Sequence, residues 1–223
     1  MLGGLAPLLL DTRPRPTVPF EPSWALHPSV LIGTGILGAL YVWGIGPLRH
    51  RHGWGPPVPL WRVGCFMAGL LVMLVSLNGP IHDLSDDYLF SVHMGQHLLL
   101  TLVLPPLLLA GTPGWLLSPL VRRPRVRAVA RVLTHPAVAG FLFTVTLAAW
   151  HTVPAYDLMM RDHDVHVLTH LLFMAAAVLM WWPVMSPVPE LPPLGLGLRM
   201  LYLFLVSIPM QIVAAIITLA DSV

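Results

Sequence analysis

Six stretches of apolar residues, at about 28–47, 62–79, 89–110, 136–153, 165–185 and 199–219, each approach the roughly 20 residues that a helix needs to cross a bilayer. A soluble domain gathers its apolar residues into one core and carries charge at about a quarter of its positions. Here 56% of the 223 residues are hydrophobic, 10% are charged, and the mean hydropathy is +0.77. The apolar residues are parcelled into spans, so the chain is expected to be an all-α, polytopic transmembrane helix bundle of about six spans. Residues 1–27 then form an extracytoplasmic N-terminal segment, and 28–223 a transmembrane helical domain. The apolar start, Met1 to Leu10, has no basic residue before it and leads into Arg13-Pro14-Arg15-Pro16 without a small-residue cleavage pattern, so it is not read as a signal peptide.

Charge sets the expected orientation. All twelve basic side chains are arginines, and cytoplasmic loops retain an excess of them. Placing the loops after spans one, three and five inside puts nine arginines, among them Arg49, Arg51, Arg62 and those from Arg122 to Arg131, on the cytoplasmic side. Arg13, Arg15 and Arg161 remain outside, together with acidic loops carrying Asp83, Asp86 and Asp87 and then Asp157, Asp162 and Asp164. Both the N-terminus and the loop between spans four and five are therefore expected outside. Membrane lipid is the implied environment. With its few positive charges confined to short loops, the chain is not expected to bind nucleic acid.

One cysteine, Cys65, can form neither an internal disulfide nor a cysteine-only metal site, so metal or redox chemistry would fall to other side chains. Eleven histidines are available. His93 and His97 lie at the outer start of the third span, His166 and His170 at the outer start of the fifth, and His151 at the outer end of the fourth. Each pair is spaced i, i+4, which sets two imidazoles on one helical face about 6 Å apart, within reach of a shared ion. Polar side chains in a span are costly and turn into the bundle, so these five are expected to face one another. Histidines at interfaces also serve as caps and loop anchors. His82 and Asp162 are read as solvated loop residues, while His163, Asp164 and Asp157 are possible outer partners of the imidazoles. His50, His52 and His135 fall among cytoplasmic arginines or at a helix start and are given no metal role.

Thioether sulfur with imidazole suits copper(I). Met94 follows His93, and Met174 is i, i+4 from His170, so both join the candidate ligands, although methionine commonly fills apolar packing. No phosphate loop, dinucleotide fingerprint, nucleophile elbow or zinc-protease helix motif is present, and carboxylates are nearly absent from the spans. The chain is accordingly not expected to be an enzyme.

Three blocks, FSVHMGQHLLLTLVLPPLLLAGTP (Phe90 to Pro113), WHTVPAYD (Trp150 to Asp157) and HVLTHLLFMAAAVLMWWPV (His166 to Val184), resemble the multispan CtaG family of cytochrome c oxidase assembly factors. The resemblance covers roughly residues 25 to 221. It implies a multi-pass protein of the bacterial cytoplasmic (inner) membrane that helps mature a haem-copper oxidase by handling copper for an oxidase subunit. It also places His93, His97, His151, His166 and His170 in recurrent histidine motifs, with Tyr156 and Asp157 in the block around His151. Two other readings use the same histidines: axial ligation of haem in a membrane cytochrome b, and a metal-ion permease.

Overall fold

The computed structural model describes residues 26–85 and 89–219, without the side chains of Phe90, Val153, Tyr156, Asp157, Met160, His163 and residues 216–219. The expectations for Arg13, Arg15, Asp86, Asp87, nearly all of the N-terminal segment, and the side chains of Tyr156, Asp157 and His163 lie outside the described residues. Every described element is helical: α1 (Pro28–His52), α2 (Leu60–Ser76), α3 (Gly79–Asp83), α4 (Phe90–Leu98, Leu99–Val103 and Leu104–Gly111 in succession), α5 (Gly114–Val121), α6 (Pro124–Leu133), α7 (Pro136–Trp150), α8 (Val153–Arg161), α9 (His163–Met185) and α10 (Leu196–Leu219).

Among these, four helices are long and apolar enough to cross a membrane, namely Pro28–His52, Ser91–Gly111, Asp164–Met185 and Leu196–Ala215. A fifth is counted if α6 and α7 form one broken span. The window expected at 62–79 becomes α2, whose 17 residues extend about 26 Å at 1.5 Å per residue, a little less than the hydrocarbon core. Among the described residues the protein is thus all-helical, with four to five candidate spans. Two stretches expected as loops are helices instead. The arginine-rich stretch contains α6, which starts on Pro124, a residue suited to a first helical position. The acidic stretch after His151 contains α8, with its one proline, Pro154, in the first turn.

The helices fall into two compact units. Of the described residues, the first comprises those up to Val132 together with Met185–Pro193. Its centre is the packing of α2 against α4, and Gly111 shows how close this is. A Cβ there would lie 2.6 Å from the Phe66 backbone nitrogen. The Gly111 carbonyl accepts the Tyr41 hydroxyl proton at 2.9 Å, and the Tyr41 ring stacks on Phe66 at 3.7 Å, so α1 joins the same contact. At the other end of α2, Asn78 donates to the Leu74 carbonyl at 2.9 Å and accepts from the His27 backbone N–H at 2.8 Å, tying the start of α1 to the end of α2. Gly79 then takes φ of +63°, a left-handed conformation that favours glycine, and turns the chain into α3.

Within α4 the five residues Leu99–Val103 form a π turn immediately before Pro105 and Pro106. Neither proline can donate a backbone hydrogen bond, and in a membrane the carbonyls they leave must find other partners. The wider turn accommodates the pair. The hydroxyl of Thr101 donates to the His97 carbonyl at 2.6 Å in the same stretch.

Of the described residues, the second unit comprises Leu133–Val184 and those from Leu194 onward. Phe143, Phe173, Ala139 and Ala177 are essentially inaccessible and form its core. Gly140 lets α10 approach α7, since a Cβ there would meet Val206 Cγ2 at 3.0 Å, and Tyr202 donates to the Met180 carbonyl at 2.9 Å to join α10 to α9.

Candidate metal-binding histidines

In the second unit, α9 begins with a cap that fixes its register. The carboxylate of Asp162 accepts from the backbone N–H groups of Asp164 and Val165 at 2.9 and 3.2 Å, the role that aspartate fills before a helix. Asp162 is an exposed cap, in keeping with its expected solvated position. One turn on, His166 and His170 project from the same face. Their Nε2 atoms lie 2.9 Å apart and their ring centroids 4.8 Å apart. His170 is buried and His166 half-buried. A hydrogen bond between two ring nitrogens holds a single proton, so one imidazole donates and the other offers its lone pair.

His151 ends α7 in the same unit. Its Nδ1 is 2.7 Å from the Leu147 carbonyl, which can only accept, so Nδ1 carries the proton and Nε2 holds the lone pair. The ring meets Phe173 edge to face at 6.1 Å, and Phe173 follows His170 by three residues on α9. A backbone carbonyl orienting one nitrogen while the other is left as donor atom is the usual arrangement behind a metal-bound histidine.

In the first unit, His93 and His97 are both buried on α4 with ring centroids 4.3 Å apart. Gln96, between them in the chain, belongs to a polar cluster that the sequence pattern did not mark. His82, expected to be solvated, is instead buried on α3. It meets His27 edge to face at 4.5 Å, and its Nδ1 is 3.3 Å from Gln96 Nε2. The Gln96 amide is oriented by the Ser76 carbonyl, which accepts from Nε2 at 2.6 Å, and its Oε1 accepts from Ser85 at 3.2 Å. Since Nε2 of Gln96 donates, Nδ1 of His82 accepts and its proton resides on Nε2. These residues come from the ends of α1, α2, α3 and α4, so no local spacing announces them. The only local hint is Gln96 itself, a polar residue between two histidines in an apolar span.

Met94 and Met174 are half-buried, and neither takes part in a described hydrogen bond or ring contact. The imidazole pairs themselves suit a metal ion. Metal to imidazole bonds of about 2.0–2.1 Å place neighbouring ligand nitrogens roughly 3 Å apart, the separation of the His166 and His170 nitrogens. Neutral nitrogen donors favour late transition metals over calcium or magnesium.

A family model described as cytochrome c oxidase caa3 assembly factor (Caa3_CtaG) matches residues 39–223. The chain belongs to the Caa3_CtaG family. Both histidine pairs and His151 fall within the matched part of this Caa3_CtaG chain. Similar curated proteins include an uncharacterized protein of Mycobacterium bovis, 25% identical over 174 residues, which cover 71% of this chain and 26% of that protein. Another is an uncharacterized protein of Mycobacterium leprae, 23% identical over 189 residues, covering 78% of this chain and 28% of the relative. The Caa3_CtaG chain thus spans about a quarter of the length of these relatives. No solved structure matches it.

Proposed function

We propose that this Caa3_CtaG protein is a non-enzymatic copper carrier of the bacterial cytoplasmic membrane that loads a subunit of a haem-copper cytochrome c oxidase. In this reading the N-terminus and the histidine-bearing helix ends are outside, and the arginine-rich stretch is inside. Copper is cargo. Its donors are His166, His170 and His151 in one unit and His93 and His97 in the other, with Met94 and Met174 as softer neighbours.

The observation that carries the reading is the 2.9 Å approach of the His166 and His170 nitrogens. An ion arriving there takes the lone pairs of both Nε2 atoms, so the proton shared between them moves to Nδ1 of the donating ring and both imidazoles bind in their neutral form. Few, neutral donors bind a soft monovalent ion without the permanence of a thiolate cage, which suits transfer. His151 adds a nitrogen whose lone pair is already set by its bond to Leu147. The oxidase as recipient is supported by the family description. The alternative, haem ligated by one histidine from each of two helices, uses the same side chains and is separated by the optical spectrum.

The test is copper analysis of the purified full chain after exposure to copper(I), for wild type, H166A/H170A and H93A/H97A, with helicity monitored. Wild type should retain copper and the variants should lose most of it. Unchanged copper in H166A/H170A at native helicity defeats the proposal, and a strong Soret band in the wild-type protein as purified favours the haem reading instead.

A further inference from the structure

The helix α6, Pro-Arg-Val-Arg-Ala-Val-Ala-Arg-Val-Leu, plays no part in the copper reading. At 100° per residue, Val126, Val129, Ala130 and Leu133 fall on one face, spaced i, i+3, i+4 and i+7. Arg127 and Arg131, four apart, share the opposite face, and Arg125 borders the apolar stripe. With Arg122 and Arg123 just before the helix, five arginines occupy residues 122–131, and no acidic residue occurs between Asp87 and Asp157.

The side chains of Arg123, Arg125, Arg127 and Arg131 are exposed, and the apolar stripe is partly uncovered, with Val129 59% and Leu133 36% accessible and Val126 and Ala130 half-buried. Arg122 differs, because its guanidinium is committed to Glu190 at 2.6 Å. What covers the stripe follows from its place in the chain. The candidate span Ser91–Gly111 precedes it and the apolar α7 follows after Thr134 and His135, so bilayer lies within reach of both ends. Ten residues extend about 15 Å, half the hydrocarbon thickness, and three arginines keep the segment out of that layer.

We propose that α6 is an interfacial helix that seats Val126, Val129 and Leu133 at the acyl boundary and binds anionic phospholipid headgroups through Arg123, Arg125, Arg127 and Arg131. Guanidinium is the side chain best matched to phosphate oxygens, which it can engage with two parallel hydrogen bonds. Basic clusters beside a span bind anionic leaflets with an attraction worth roughly a fivefold change in partitioning per arginine. A basic, amphipathic helix of low overall hydropathy lies in the membrane plane rather than across it.

The experiment places the full chain in nanodiscs of phosphatidylcholine alone or mixed with phosphatidylglycerol and follows amide exchange over residues 124–133. The proposal expects slower exchange with phosphatidylglycerol, a difference that shrinks at high salt, and loss of roughly an order of magnitude in phosphatidylglycerol retention by R127Q/R131Q in native mass spectrometry. R127K/R131K preserves charge and topology and should keep most of the effect. Equal exchange in the two lipid compositions for the wild-type protein overturns the proposal, as does full phosphatidylglycerol retention by R127Q/R131Q. Copper content should be the same in both lipids, so this result and the test of the copper reading stand apart.

Discussion

Nδ1 of His151 lies 2.7 Å from the carbonyl oxygen of Leu147, one helical turn earlier, and this bond decides which ring nitrogen is left to bind a ligand. If Nε2 of His151 serves copper with His166 and His170, H151A should weaken copper(I) binding by about tenfold or more, the usual cost of disturbing a metal-bound histidine. Competition titration against a chelator of known affinity measures the change. Affinity should also fall on acidification in the wild-type protein, because the ligand is neutral imidazole and protons compete with the ion. Identical affinity in H151A and wild type removes His151 from the donor set.

The buried amide of Gln96 joins Ser76, His82 and Ser85. Q96L leaves the Ser76 carbonyl and the His82 nitrogen without that donor in a buried place, which should cost about 1–3 kcal/mol. Reversible thermal unfolding in detergent reads the loss. Nitrogen NMR of histidine-labelled protein provides a separate check: in wild type His82 should carry its proton on Nε2, and in Q96L that preference should relax. A His82 protonated at Nδ1 in the wild-type protein contradicts the hydrogen-bond assignment.

The membrane character, the helical class and the two i, i+4 histidine pairs were legible in the sequence because each depends on residues close together in the chain. His166 and His170 meet simply because a helix turns once in 3.6 residues. The cluster of His27, His82 and Gln96 was not legible, because it depends on contacts between residues 14 to 55 positions apart, which periodicity does not encode. Nor was α6, whose run of arginines read as a loop. Its i, i+3, i+4, i+7 valines and leucine become evident only once the segment is known to be helical. The window at 62–79 becomes a helix that ends sooner than hydropathy suggests, because Leu77 and Asn78 leave it and Gly79 starts the next helix at a positive φ.

The contact between α2 and α4 yields a comparison between two glycines. At Gly111 an added Cβ would stand 2.6 Å from the Phe66 nitrogen and 2.8 Å from the Arg62 carbonyl oxygen, both backbone atoms that cannot step aside without shifting a helix. At Gly69 the nearest atom is the Cδ2 of Leu108 at 3.0 Å, at the end of a side chain that can rotate. G111A should therefore destabilise by about 1–3 kcal/mol, the usual range for overpacking, and G69A by clearly less. Unfolding midpoints of the two variants in the same detergent check the order, and a reversal would show that α4 moves more readily than its packing implies.

Glu190, in the stretch between α9 and α10, accepts from Arg122 at 2.6 Å and from Ser118 at 2.9 Å, pinning residues 185–193 to α5. The hydrogen bond from Arg122 is the main cause that holds its carboxyl below the ordinary glutamate value, with the Ser118 hydroxyl acting in the same direction. A carboxyl whose folded-state affinity for protons is lowered binds fewer protons folded than unfolded, so it stabilises the fold above the unfolded value of about 4.3. That contribution is lost as pH falls through the lower, folded value. Wild type should accordingly be more stable than E190Q at pH 7, and the gap should narrow below about pH 4.5, where the unfolded carboxyl is itself becoming protonated. Because Arg122 is largely exposed, the gap should also shrink with added salt, whereas the Ser118 contact is far less sensitive to it. Melting temperatures of wild type, E190Q and S118A at pH 7 and pH 4, each at low and high salt, separate the two bonds. A gap between wild type and E190Q that is independent of both pH and salt would mean that residues 185–193 are held by the packing of Pro187 and Val188 rather than by this carboxylate.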